Sequence, residues 1–314
     1  MNGSCVVLGY YGFGNLGDEL LLRACVKILN SRGIDNDKII ALSNSPDETR
    51  KAFNIRAVNR WKIFEVAKAL RSCDALILGG GGLFQDSTSV KSCAYYWGVV
   101  RLARLFGLKV FALGQSIGPL KSRLAKFFAG DALRACERVH VRDQNSFNLA
   151  KSFGCQDTEL GFDIVMTLAA FEAAPPPARP LMLVNVRSCE NLEAFVNVIA
   201  PHVRDFDGDK IGAALSAEDE KILLDLKEAL NLKEIKLVKT FDDASELWAL
   251  ASCGVGMRLH FGVLSRIFRT PVALMPYDVK VSQFAEQSAI PLITHEWREP
   301  SMPSPAPVYD TIST

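Results

Sequence analysis

Short runs of apolar and β-branched residues alternate with longer amphipathic stretches along almost the whole chain, and this rhythm constrains the fold most. Residues 4–8, 38–42, 75–78, 109–113 and 138–141 read as strands, and residues 19–31, 60–72, 92–106, 120–136 and 144–153 read as helices. Strands separated by helices form parallel βαβ units, because a parallel pair needs a crossover connection. The segment "AAFEAAPPPARP", residues 169–180, interrupts the rhythm with prolines that fit neither a helix interior nor a sheet interior. After it the rhythm resumes, with strands at 181–186, 210–215, 235–238, 253–256 and 271–275 and helices starting near Leu192, Ala217, Ala244, Leu259 and Val281.

The predicted architecture is therefore α/β, with two Rossmann-like domains facing a cleft. Residues 1–168 form the first domain, 169–180 a linker and 181–296 the second domain. The stretch 297–314, rich in Pro and Ser, reads as an extended or disordered tail. A chain of 314 residues with 49% hydrophobic content can supply a core for both domains. The first residues run directly into an apolar strand with no signal-type leader, and no window of ~18 uninterrupted apolar residues occurs, which predicts a cytoplasmic protein. The eight cysteines contain no CxxC pair, in keeping with reduced thiols.

With 36 basic and 35 acidic residues the net charge is +1, so no global field recruits nucleic acid or an anionic membrane. Charge is uneven locally. Residues 87–130 contain no Asp or Glu but carry Lys91, Arg101, Arg104, Lys109, Lys121, Arg123 and Lys126. An ordinary solvated face accounts for this stretch, and so does a surface for an anionic substrate or lipid headgroups.

The first strand leads into "GYYGFGNLGDELLL", where Gly12, Gly14 and Gly17 have the GxGxxG spacing of a dinucleotide fingerprint. The rest of that fingerprint is missing. The second strand ends in Ser43, Asn44 and Ser45 with no acidic residue for a ribose, and Asp18 and Glu19 place like charge where a pyrophosphate would sit. No nicotinamide cofactor is expected. The turn reads either as a tight strand-to-helix connection or as a lip presenting Asn15 and Asp18 to a polyol.

Further polar groups fall at predicted strand ends, where ligands of open α/β sheets bind. "GGGG" at residues 79–82, including Gly80 and Gly81, exposes backbone amides but lacks the Lys-Ser/Thr ending of a P-loop. Gln115 and Ser116 follow the next strand and Arg142 the one after. In the second half, Arg258 and His260 stand between a strand end and a helix start, a receptor suited to phosphate or carboxylate, with Lys280 at the corresponding place one strand later. His140 alternates inside a strand and reads as packed in the sheet, while His202 and His295 stand apart. No histidine has metal-ligand spacing, so no metal is expected.

In order along the chain, "GYYGFGNLGDE", "GGGGLFQD", "GQSIGP", "VRDQNS", "GMRLH" and "YDVKV" make it resemble the polysaccharide pyruvyl transferase family over about residues 3–287. Val279 stands where that family more often has proline. The resemblance implies a GT-B-like fold and no cofactor. It also implies transfer of pyruvate from phosphoenolpyruvate onto two hydroxyls of one sugar in a cell-wall, capsular or exopolysaccharide precursor, as a cyclic ketal with release of phosphate. The family's donor-binding Arg, His and Lys fall on Arg142, His260 and Lys280, with Arg258 in the same motif. His260 is the expected proton carrier, with Asp18 second; Asn15, Gly80, Gly81 and Gln115 are expected on the acceptor side. A lipid-linked acceptor would give the basic stretch a membrane to face at the inner leaflet. Two other readings remain open at this point: a GT-B glycosyltransferase using a nucleotide sugar, and a non-catalytic glycan-binding protein on the same fold.

Overall fold

The computed structural model describes residues 3–86, 89–169 and 179–305. It divides into two compact units: Met1–Phe13 with Asp18–Thr167, and Gly14–Gly17 with Leu168–Thr314. Most of the predicted linker, residues 170–178, and the end of the predicted tail, residues 306–314, lie outside the described residues.

The first unit holds a seven-stranded, wholly parallel sheet. In chain order its strands are β1 (Cys5–Tyr11), β2 (Ile39–Ser43), β3 (Arg56–Asn59), β4 (Ala75–Leu78), β5 (Lys109–Gln115), β6 (Arg138–Val141) and β7 (Thr158–Leu160), and across the sheet they run β3-β2-β1-β4-β5-β6-β7. The helices are α1 (Leu16–Ser31), α2 (Pro46–Phe53), α3 (Ile63–Arg71), α4 (Val90–Leu105), α5 (Arg123–Arg134) and α6 (Gln144–Ser152). The strand order reverses between β1 and β4. Strands β1, β2 and β4 are buried at almost every residue, which is why each reads in the sequence as an unbroken apolar run. Side chains of α3, α4, α5 and α6 form one core with the sheet, around Leu8, Leu78, Phe84, Tyr96, Val100 and Leu133.

The second unit repeats the plan with five parallel strands: β8 (Leu181–Val184), β9 (Asp209–Ala214), β10 (Glu234–Leu237), β11 (Cys253–Gly256) and β12 (Val272–Leu274), ordered β10-β9-β8-β11-β12. Its helices are α7 (Leu192–Asp205), α8 (Ala217–Asp225), α9 (Phe241–Ala249), α10 (Leu259–Ile267) and α11 (Val279–Gln287). The reversal lies between β8 and β11. Residues 297–305 run along this unit: Ser301 pairs with Val272 in an antiparallel bridge, and Arg266 donates to the Ser304 and Pro305 carbonyls.

Three elements depart from the sequence reading, α2, β3 and β7, which it left without regular structure. The helix expected from Arg60 begins instead at Ile63, and the Arg60 guanidinium turns inward. Its Nη1 donates to the Gly9 carbonyl at 2.7 Å, and it lies over the Tyr95 ring at 4.6 Å from the centroid. Elsewhere caps set the helix starts. Thr240 and Asp243 form a reciprocal capping box that begins α9 three residues before Ala244, and Asp278 caps α11.

Candidate functional site

Each sheet delivers its polar residues at the carboxyl ends of the strands that flank its reversal point, where an open α/β sheet leaves a crevice for ligands. In the first unit those strands are β1 and β4. Gly12 and Gly14 both take positive φ, which glycine tolerates without strain. A Cβ on Gly12 would also collide with the Ser43 hydroxyl and the Ser45 amide. The Gly12 amide donates to Oε1 of Glu19 at 2.8 Å. In the turn that groups with the second unit, the Leu16 amide donates to the Leu215 carbonyl and the Gly17 amide to Oδ1 of Asn15. These three amides are bonded within the protein, in keeping with a tight turn. Burial pushes the Glu19 carboxyl above its ordinary range, the Gly12 amide partly opposes that, and the charge of Glu48 adds to it.

The glycine run after β4 does not form an open nest of four amides. Gly79 donates to the Leu8 carbonyl and Gly81 to the Gly114 carbonyl, and the Ser116 amide returns a bond to the carbonyl of Gly81. Gly80 and Gly81 have positive φ, and side chains there would press on Leu21 of α1. The run thus lets α1 approach the sheet, which brings Asp18 beside Gly81, its Oδ1 3.6 Å from where a Cβ would stand. Gln115 is wholly buried. Its Nε2 donates to the Leu78 and Leu113 carbonyls, whereas Oε1 accepts nothing among the described residues. Arg142, one strand further, is held by Asp163 in a buried ion pair, and Asp163 also accepts the Val165 amide. In the sequence Arg142 reads as a strand-end cation, and its carboxylate enters from 21 residues away, beyond any local pattern.

The second unit concentrates its chemistry at the ends of β8, β11 and β12. Asn185, buried just past β8, accepts the Arg258 amide at Oδ1 and donates from Nδ2 to the Ala213 carbonyl, tying the β11 exit to β9. Nε of Arg258 lies 3.1 Å from both carboxylate oxygens of Asp219, and Nη2 bonds the same carboxylate and the Ser216 hydroxyl. Ser216 and Asp219 are the cap and first turn of α8, so the helix that follows β9 fixes the guanidinium. Burial opposes the charge on Arg258, and the hydrogen bond and charge of Asp219 outweigh it, holding the group protonated above its ordinary range. Nη1 enters none of these bonds and remains the edge of the fork that can meet an anion.

His260 stands on the first turn of α10, half-buried. A Cβ on Gly17 would overlap its Nδ1, so the third glycine of the opening motif is the space in which the imidazole sits. Lys280 occupies the first turn of α11, where its amide is capped by Asp278. Arg187 was not singled out by sequence reading. It follows β8, donates from Nη1 to the Tyr277 hydroxyl at 2.9 Å and lies over the Tyr277 ring at 4.7 Å. No carboxylate pairs with it among the described residues, so Arg187 brings an unneutralised charge to an edge where Arg258 is already matched by Asp219. The only signal for it in the sequence is its place immediately after the apolar run of β8.

Arg187, Arg258 and His260 thus lie at the ends of the strands that flank the second sheet's reversal, with Lys280 one strand further, after β12, and Asp18, Gly80, Gly81 and Gln115 lie around the first. Asn15 groups with the second unit, and Arg142 lies in the first with Asp163. His140 is buried in β6, where its Nδ1 accepts the Gly114 amide at 3.1 Å. Among the described residues no group of three or more His, Cys, Asp or Glu is placed to hold a metal ion.

Solved structures share this architecture at low sequence identity. HepE from Anabaena in complex with UDP-glucose is 12% identical, with a TM-score of 0.60 over 93% of this chain and 85% of that one. A UDP-GlcNAc 2-epimerase from Methanocaldococcus jannaschii is 13% identical at TM-score 0.60, covering 93% and 89%. Acinetobacter baumannii MurG is 15% identical at TM-score 0.52, covering 93% and 86%. These likenesses bear on the fold, which is GT-B-like. No curated protein matches the sequence. The family model described as polysaccharide pyruvyl transferase matches residues 15–279, from the first glycine turn to the start of α11. The strand-end residues described above, from Asp18 to Arg258 and His260, fall inside that match, and the chain belongs to the polysaccharide pyruvyl transferase family.

Proposed function

We propose that the protein transfers the pyruvyl group of phosphoenolpyruvate onto two hydroxyls of one sugar residue in a cell-wall or capsular polysaccharide precursor, forming a cyclic ketal and releasing phosphate. The observation that carries this reading is the Arg258–His260 pair at the end of β11: a guanidinium fixed by Asp219 with one edge unspent, and an imidazole two residues on for which Gly17 clears the space. Phosphoenolpyruvate carries a carboxylate and a phosphate on three carbons, so its receptor needs several cations and little apolar surface. Arg187, Arg258 and Lys280 supply them on adjoining strand ends, and Arg142 is the further family position.

The chemistry requires one proton to be added to the methylene carbon and two to be removed from sugar hydroxyls. Protonation leaves an oxocarbenium-like carbon, which the first hydroxyl attacks. The C–O bond to phosphate then breaks, and the second hydroxyl closes the ketal; the net proton leaves with phosphate. His260 is the group suited to give and take these protons near neutral pH, with Asp18 orienting or deprotonating the acceptor. No cofactor is needed, because the enol phosphate is itself activated.

Incubation with phosphoenolpyruvate and candidate glycosides tests this reading. Phosphate release together with a ketal methyl resonance on the sugar is expected, and the absence of both with every glycoside overturns it. A nucleotide sugar is the second reading, supported by the UDP-glucose that HepE holds on a similar fold. Saturable UDP binding unaffected by phosphoenolpyruvate would favour it.

A further inference from the structure

The acid-free stretch between residues 87 and 130 has a use in the fold that the transfer reaction does not absorb. Helices α3, α4 and α5 lie over one face of the first sheet on a shared core. α3 and α5 each follow a parallel strand and so begin at the carboxyl edge, the edge that carries the site. Large apolar side chains are exposed at these N-terminal ends: Trp61, just before α3, at 61%, Ile63 and Phe64 at 60% and 88%, and Leu124 and Phe127 in the first two turns of α5 at 61% and 55%. A water-facing helix does not ordinarily present such residues together. The two groups are joined across α4, because Trp61 packs on Tyr95 at 5.5 Å between ring centroids and Phe127 packs on Trp97 at 6.4 Å.

Basic side chains outnumber acidic ones around these residues. Lys121, Arg123 and Lys126 are exposed and make no ion pair among the described residues. The neighbouring acids are already engaged: Glu65 with Lys62, Asp131 with Arg101 and the Trp97 indole, and Asp86 with the amides of Lys121 and Ser122. Exposed aromatic and aliphatic tips interleaved with unpaired cations match the interface of an anionic bilayer, where the tips enter the acyl boundary and the cations meet headgroups. Among the described residues no helix is long and apolar enough to cross a membrane, so any such contact is peripheral.

We infer that the face formed by the N-terminal ends of α3 and α5 docks the protein on an anionic phospholipid surface, with the carboxyl edge of the first sheet held beside the headgroups. This does not rest on the identity of the donor, and its test does not read catalysis. In vesicle flotation at low salt, the full chain is expected to float with vesicles of 70% phosphatidylcholine and 30% phosphatidylglycerol and to stay behind with phosphatidylcholine alone. Phe64→Asp combined with Phe127→Asp should lower the floated fraction about tenfold or more, and so should Lys121→Glu, Arg123→Glu and Lys126→Glu together; unchanged circular dichroism and thermal midpoints would establish that both variants fold. Absence of flotation with anionic vesicles, or flotation indifferent to both sets of substitutions, overturns the inference. So does a dimer in sedimentation that the phenylalanine pair dissolves, since the face would then belong to a second copy of the chain.

Discussion

A Cβ on Gly17 would stand 2.2 Å from Nδ1 of His260. A glycine spaced as in a dinucleotide fingerprint thus makes room for an imidazole. Gly17→Ala must move the ring or the turn, and overpacking of this kind costs about 1–3 kcal/mol. If His260 carries the proton, its displacement by about an ångström costs on the order of a hundredfold in turnover. We expect Gly17→Ala to fold with a modestly lowered thermal midpoint and to lose most of its phosphate release from phosphoenolpyruvate. Adding His260→Ala to it should cost much less than His260→Ala costs alone. Independent, additive losses would mean that Gly17 does not act through His260.

Asp219 carries two duties, holding Nε and Nη2 of Arg258 and accepting the Leu215 amide. Its removal would strand a largely buried guanidinium, and breaking such a pair costs about 3–5 kcal/mol. Asp219→Ala is therefore expected to shift the urea midpoint strongly. Glu218→Ala, which takes away an exposed carboxylate 3.9 Å from the same arginine, should change the unfolding free energy by no more than about 1 kcal/mol. Equal effects of the two substitutions would show that Asp219 does not anchor Arg258.

Those two relationships also mark where sequence reading stops. Strands β4, β6 and β11 are legible to the residue, because a strand buried in a parallel sheet is an apolar run with polar ends. β3 and β7 are not. Each sits at a sheet edge, pairs with one neighbour and is partly exposed, so its few residues carry no periodic signal. The cations of the site are visible as strand-end residues, whereas the carboxylates that fix them are not. Asp163 and Asp219 reach Arg142 and Arg258 from 21 and 39 residues away, through the folding of separate units of chain. Arg187 carries no signal of its own in the sequence, because one arginine after a strand looks like any strand exit. Only the reversal of strand order between β8 and β11 gives it importance.

His140 gives stability a pH dependence of known sign. Burial lowers its pKa below the ordinary value of 6.5, against weaker opposing effects of Glu159 and Asp163, and its Nδ1 is committed to accepting the Gly114 amide. Below pH 6.5 the unfolded chain takes up a proton at this residue that the folded protein resists. The stability is therefore present in full above that pH and declines as pH falls from it toward the lowered folded value. Chemical denaturation between pH 8 and pH 5 should show this decline, with a slope from one proton of up to about 1.4 kcal/mol per pH unit. His140→Gln keeps an acceptor without the titration and should flatten the profile over that window; an unchanged profile would assign the slope to other groups.

Arg187 is the strand-end cation that no carboxylate neutralises among the described residues, and Tyr277 fixes its guanidinium from the end of β12 by a hydrogen bond and by stacking. If the β8–β11–β12 edge receives the two anionic groups of phosphoenolpyruvate, the charge on Arg187 contributes to binding in the ground state as well as in the transition state. A hydrogen bond to a charged group contributes about 1.5–3 kcal/mol, so Arg187→Ala should raise KM for phosphoenolpyruvate about tenfold to a hundredfold while kcat changes much less. Arg187→Lys retains the charge but not the planar fork that lies on Tyr277, and should recover only part of that loss. Tyr277→Phe removes the hydroxyl and keeps the ring, so its effect on KM should be the smallest of the three. A KM unchanged by Arg187→Ala would remove Arg187 from the proposed donor site and leave Arg258 and Lys280 as its cations in the second unit.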